Sequence, residues 1–248
     1  HKEYRRQRQM CIRDRCTSLS SIILPSSISS IGQSVFYGCT SLESITLPSG
    51  VISVEPSTFE KCINLKSIIL PLGITHIGQK AFEECTNLTD ITLPSSLTFI
   101  GDSAFAKCEN LFNITIPYGI TFISKELFKG CTKLRNVDLS SSIKSIEDGA
   151  FAECTSLENI VIPSSISSMG YSVFENCTSL RKIDLPSGIS MKYYIFRGCT
   201  SLSNVTLPSD MTSIGVELFR GCTSLKTIVL PSNVATIERY ASVSYTHL

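Results

Sequence analysis

The sequence predicts an α/β solenoid of about ten rungs, each 23 residues long and built from one strand and one short helical or 3-10 turn. Three observations carry that prediction. Cysteines recur at Cys16, Cys39, Cys62, Cys85, Cys108, Cys131, Cys154, Cys177, Cys199 and Cys222, always 23 apart except for the 22 between Cys177 and Cys199. Proline and phenylalanine keep the same beat, with nine of the ten prolines in the tenth column after the cysteine and nine phenylalanines, Phe36 to Phe219, in the twenty-first. Within each repeat the apolar period changes from two to that of a helical turn. Rungs are numbered here from the one opening at Cys16, and columns from each rung's cysteine.

The strand comes first. In "SLESITLP", Ile45 and Leu47 alternate with Ser44 and Thr46, as a half-buried strand requires. Pro48 ends it, having no N–H for the ladder. The "SG", "SS" or "LG" that follows is turn chemistry. The second half, as in "GQKAFEECTNL", places Ala81, Phe82, Cys85 and Leu88 at i, i+1, i+4 and i+7, one face of a helical turn. A single rung cannot bury these side chains alone, so stability has to be cooperative along the array.

The two ends break the pattern. Residues Met10 to Arg15 read "MCIRDR" and the last six read "VSYTHL". Back-translated, they can be encoded by opposite strands of one short DNA element, and they resemble the translated mosaic end of a transposon adapter. Residues 1–15 and 243–248 are therefore expected to be artefactual, and 16–242 to form the solenoid. The first fifteen residues also hold six of the basic side chains against two acidic ones, leaving 16 basic and 19 acidic residues after them. With a net charge of +1, the composition argues against nucleic-acid or membrane-surface binding. No apolar run reaches the ~20 residues that span a bilayer, and no signal peptide or anchor is read in the chain.

The ten consecutive "CxxLxxIxLPxxIxxIGxxAF" units resemble the BspA-like leucine-rich repeats of bacterial and protist surface proteins. The resemblance spans about residues 16–242. It implies a right-handed leucine-rich-repeat solenoid with a parallel strand ladder, belonging to a larger cell-surface or secreted protein. It also implies a non-enzymatic role in adhesion or recognition, and carries over no catalytic residues. Departures are local: Glu55-Pro56 and "MKYYIF" replace the glycine turn in rungs 2 and 8, and Ser140 replaces the proline of rung 6.

The repeated cysteines admit several chemistries. Zinc sites want close pairs such as C-x2-C, often with histidine, and the array offers His76 alone. Disulfides between adjacent rungs are sterically conceivable. The cysteine shares a face with the Ala, Phe and Leu columns, which favours buried packing thiols. No metal, cofactor or nucleophile–base pair is expected. The best enzymatic alternative is a glycosidase-like pair at Asp138 and Asp184, two rungs apart. The runner-up to recognition, ahead of any enzyme, is a structural spacer that extends a binding domain elsewhere. Four N-x-[ST] sequons, at Asn87, Asn113, Asn176 and Asn204, matter only for a secreted eukaryotic chain.

Partner-binding residues are sought where columns stop repeating, for a protein or surface-glycan ligand. Column 15 is usually Ser or Thr, yet it is His76, Phe99 and Phe122 in rungs 3 to 5, and column 11 is Ser except at Leu72 and Tyr118. Equivalent columns stack, so these five are expected to form one aromatic-apolar patch. Tyr171, Tyr193 and Tyr194 form a second candidate cluster beside the one-residue deletion, which is expected to bend or break that turn. Arg135, Asp138, Arg181 and Asp184 form a third, of mixed charge.

Overall fold

A computed structural model describes residues 16–242. The proposed foreign segments, 1–15 and 243–248, lie outside the described residues. Among the described residues, fifteen short strands pair in six parallel sheets that lie along two interrupted ladders. The first ladder uses columns six to eight: β1 (Ser44–Thr46), β3 (Ser67–Ile69), β6 (Asn113–Thr115), β8 (Asn136–Asp138), β11 (Lys182–Asp184) and β13 (Asn204–Thr206). The second uses columns 15 and 16, or 14 and 15 in the shortened rung 8: β2 (Ser53–Val54), β4 (His76–Ile77), β5 (Phe99–Ile100), β7 (Phe122–Ile123), β9 (Ser145–Ile146), β10 (Ser168–Met169), β12 (Ser190–Met191), β14 (Ser213–Ile214) and β15 (Thr236–Ile237). Partners sit one repeat apart, as in Ser44↔Ser67 and His76↔Phe99. Side chains on the first ladder alternate outward, inward, outward, so Ile45, Ile68 and Ile114 reach the core while their neighbours face solvent.

The core is a set of columns. Leu42, Phe59, Cys62, Leu65, Ile77, Phe82, Cys85 and Leu88 are wholly buried, and the pattern continues regularly through about eight turns. The phenylalanines of column 21 stack from Phe36 to Phe219, with ring centroids 5.3–5.8 Å apart along the whole series. Such spacing combines large apolar burial with favourable ring contact.

The expected helical segment does not form: among the described residues there is no helix. Its four marker residues are buried as one face, but the backbone follows a different hydrogen-bonding scheme. Ser57, Phe59 and Lys61 donate their N–H groups forward to the carbonyls of Gln79, Ala81 and Glu83 in the next rung. The residues between them, Thr58 and Glu60, and then Cys62, donate back three positions to Glu55, Ser57 and Phe59. A helix would use every N–H internally, and here alternate ones hold the stack together. The alternation requires left-handed backbone five positions and one position before each cysteine. Ser57 (φ 55°), Lys61 (63°), Lys80 (57°), Glu84 (60°) and Lys107 (57°) illustrate both columns.

The one-residue deletion is also placed differently from expectation. Pro163 and Pro186 remain 23 apart, whereas Ser168 pairs with Ser190, 22 later. The missing residue is therefore absorbed between Pro186 and β12, ahead of the tyrosines. The turn itself stays intact, with Ser172 and Phe174 N–H groups reaching the Tyr193 and Ile195 carbonyls.

Candidate binding surface

The nine cysteines from Cys39 to Cys222 are buried free thiols, and Cys16 is half-buried. Each thiol from Cys62 to Cys222 donates to the carbonyl of a phenylalanine one turn back, at 3.0–3.2 Å. The Phe59 carbonyl thereby accepts both the Cys62 N–H and the Cys85 thiol, each at 3.1 Å. Both lone pairs of a buried carbonyl are satisfied, a reason for cysteine in this column where alanine would leave one unused. Burial, reinforced by the neighbouring Cys39 thiol, pushes Cys62 up to about 12. Burial likewise raises Cys222 to about 12. Such protonated thiols have neither nucleophilic nor metal-binding character. Among the described residues no group of three His, Cys, Asp or Glu side chains could hold a metal ion.

In column 15, His76, Phe99 and Phe122 form one run of rings. His76 and Phe99 lie 5.7 Å apart in a tilted pair, and Phe99 meets Phe122 edge-on at 6.1 Å. The inward neighbours Ile77, Ile100 and Ile123 anchor the strands and so orient the rings outward. Phe99 is 38% exposed, His76 is exposed and Phe122 is half-buried. The His76 ring nitrogen Nδ1 is 2.9 Å from the Thr75 hydroxyl, which fixes the ring's orientation.

The remaining two members of the expected patch are highly exposed, Leu72 at 85% and Tyr118 at 74%. Tyr118 borders a depression on the first ladder, together with Asp90, Thr92, Asn113 and Thr115. Sequence reasoning missed that depression, which is lined by residues of two successive rungs.

The tyrosine cluster is assembled as expected. Tyr171 meets Tyr193 edge-on at 5.9 Å, and Tyr193 meets Tyr194 at 6.2 Å. The Tyr193 ring also lies where a Cβ on Gly215 would sit, 3.3 Å away, so it packs over the next rung. The third candidate group is divided by rung 7 and largely neutralised internally. Arg135 stacks over Phe112, with 5.4 Å from guanidinium to ring centre. Arg181 pairs with Glu158 at 4.0 Å and Lys182 with Asp184 at 2.9 Å. Asp138 accepts from the Thr115 hydroxyl at 3.3 Å. Hydrogen bonds from Thr206 and Lys182 hold the Asp184 carboxyl below its usual range. These exposed pairs contribute little to stability.

Comparison with known proteins agrees with this architecture. The family model described as BspA type leucine rich repeat region (6 copies) matches residues 11–135 and 121–246. A leucine-rich repeat protein from Bacteroides ovatus is 29% identical, with 90% of this chain and 76% of that one covered and a TM-score of 0.62. A leucine rich cell surface protein from Faecalibacterium prausnitzii is 25% identical over 90% and 76%, with a TM-score of 0.59. The pneumococcal vaccine antigen PcpA is 25% identical over 88% of this chain and 58% of its own, with a TM-score of 0.64. No curated protein matches the sequence. The repeat columns, the two parallel ladders and the family match over most of the chain together place this protein in the BspA-type leucine-rich repeat family.

Proposed function

We propose that the chain is a non-enzymatic recognition solenoid, displayed on a cell surface or secreted, which binds a protein partner through the column-15 ring ladder. The single observation that carries the reading is the run His76–Phe99–Phe122, three aromatic side chains in register where the other rungs place Ser or Thr. Partly exposed aromatics in a rigid strand lose little conformational entropy on binding, and such residues dominate interface energetics. The likeness to a protein described as a cell surface protein supports the location. The intact core beneath the ladder lets the rings be changed without loss of the fold.

Beads carrying the chain should adhere to at least one immobilised extracellular-matrix protein or microbial surface. A Phe99→Ala/Phe122→Ala variant with unchanged circular dichroism should bind at least about tenfold more weakly, as loss of two anchors at about 1 kcal/mol or more each requires. Unchanged binding by that variant would refute this site.

A further inference from the structure

Rungs 4 and 5 are bonded regularly on the turn side and sparsely on the strand side. On the turn side, Ser103, Phe105 and Lys107 donate N–H groups to Lys125, Leu127 and Lys129, and Phe105 stacks on Phe128. On the strand side the pairing of both ladders lapses, although the Phe112 N–H still reaches the Thr89 carbonyl at 3.4 Å. β5 and β7 fall in separate sheets, and Asp90 pairs with Ser67 behind it. The lapse coincides with Ser124, which stands where rungs 3 and 4 have Gly78 and Gly101. Those glycines donate N–H to Val54 and Ile77, whereas at rung 5 the Ser124 hydroxyl reaches the Ile100 carbonyl. Glu147, one rung on, bears a side chain in the same column and keeps its N–H bond to Ile123, so a side chain alone does not part the rungs.

The depression along the strand side of these two rungs has a volume of about 380 Å³, within the range of small-ligand sites. We propose that it binds a neutral pyranose unit of a glycan. Its walls carry the complementary chemistry in a fixed arrangement. The Asn113 carbonyl oxygen is occupied by the Asn136 amide at 2.7 Å, which leaves the Asn113 NH2 as the group to donate. Asp90, in the same column across the gap, is acceptor-only when ionised. The Thr115 hydroxyl donates to Asp138, so it offers its lone pairs to the cleft. A vicinal diol matches this pattern, donating from one hydroxyl to the carboxylate and accepting the amide proton on the other. Tyr118 stands at the rim as an exposed flat ring against which the apolar C–H face of a sugar can rest. Asp90 is the one charged residue in the lining, which disfavours acidic sugars. Similar depressions at rungs 1 and 2 and at rungs 7 and 8 have no aromatic residue in their lining.

The test is saturation-transfer NMR with the methyl glycosides of glucose, galactose, mannose and N-acetylglucosamine. At least one should receive saturation, strongest on the C–H protons of one ring face. Tyr118→Ala should weaken binding at least about tenfold, Tyr118→Phe should retain it, and Asn113→Ala should weaken it. Phe99→Ala/Phe122→Ala should leave it unchanged, which separates this site from the proposed protein-binding ladder. No transfer to any of the four glycosides at millimolar concentration would overturn the proposal, as would transfer that survives Tyr118→Ala in a folded protein. Loss of a protein partner in Tyr118→Ala, with no competition by any glycoside, would also overturn it.

Discussion

The Cys85 thiol donates to the backbone carbonyl of Phe59, one turn back and 3.1 Å away. The same carbonyl already accepts the Cys62 N–H, so two cysteines of successive rungs converge on one phenylalanine. Repeated along the array, this links the sulfur column to the ring column.

The ring column should dominate stability. Phe105→Ala and Phe128→Ala each remove a wholly buried ring with stacked neighbours on both sides. Each should cost about 3–5 kcal/mol in urea unfolding, because the flanking rungs cannot close the cavity fully. A neutral result would place column 21 on the surface.

Alkaline pH should unfold the chain steeply. Burial raises Cys39 to about 11 and Cys62, Cys177 and Cys222 to about 12, from an ordinary value of 9.0. Below pH 9 the thiols are protonated in both states, and stability is unaffected by them. Above it the unfolded chain loses these protons first, so stability falls as pH rises toward the folded values, by about 1.4 kcal/mol per pH unit for each thiol involved. Denaturation midpoints measured from pH 8 to 11 should show this slope, and Cys→Ala substitutions in several rungs should flatten it.

The left-handed columns offer a test by glycine. Glu153 adopts φ 63°, in a column where Gly130 adopts φ 73°. Glu153→Gly should stabilise by roughly 0.5–1 kcal/mol, since the relief of about 1–2 kcal/mol exceeds the entropic cost of glycine. Gly130→Ala should destabilise by about 1–2 kcal/mol for the converse reason. Shifts in urea midpoint report both.

Gly101 is constrained differently, by the approach of the preceding rung. A Cβ there would lie 2.5 Å from the Gln79 backbone nitrogen, with no flexible side chain to yield. Gly101→Ala should cost about 1–3 kcal/mol as the rungs are forced apart, measurable as a lowered unfolding midpoint.

Particular residues show what the sequence disclosed and what it withheld. Ile45, Phe82 and Cys85 could be placed in the core because a fixed repeat forces equal burial on equal columns. His76, Phe99 and Phe122 could be placed together for the same reason. The turn geometry was misread because Ala81, Phe82 and Cys85 occupy one face in a helix and in this ladder alike. Lys61, Glu84 and Lys107 gave no sign of left-handed backbone, although Gly38, Gly130 and Gly198 in their column did. The depression beside Tyr118 was not legible, since it is a relation between two rungs and not any residue's own preference.

Site-resolved alkylation with iodoacetamide under non-reducing conditions, followed by peptide mass mapping, tests the continuous buried ladder most directly. In native protein Cys16 should be modified first, while the nine thiols from Cys39 to Cys222 stay protected. After unfolding in guanidinium without reductant, all nine should be modified. Array thiols that resist alkylation until a reductant is added, or that react readily in the native state, would contradict the ladder.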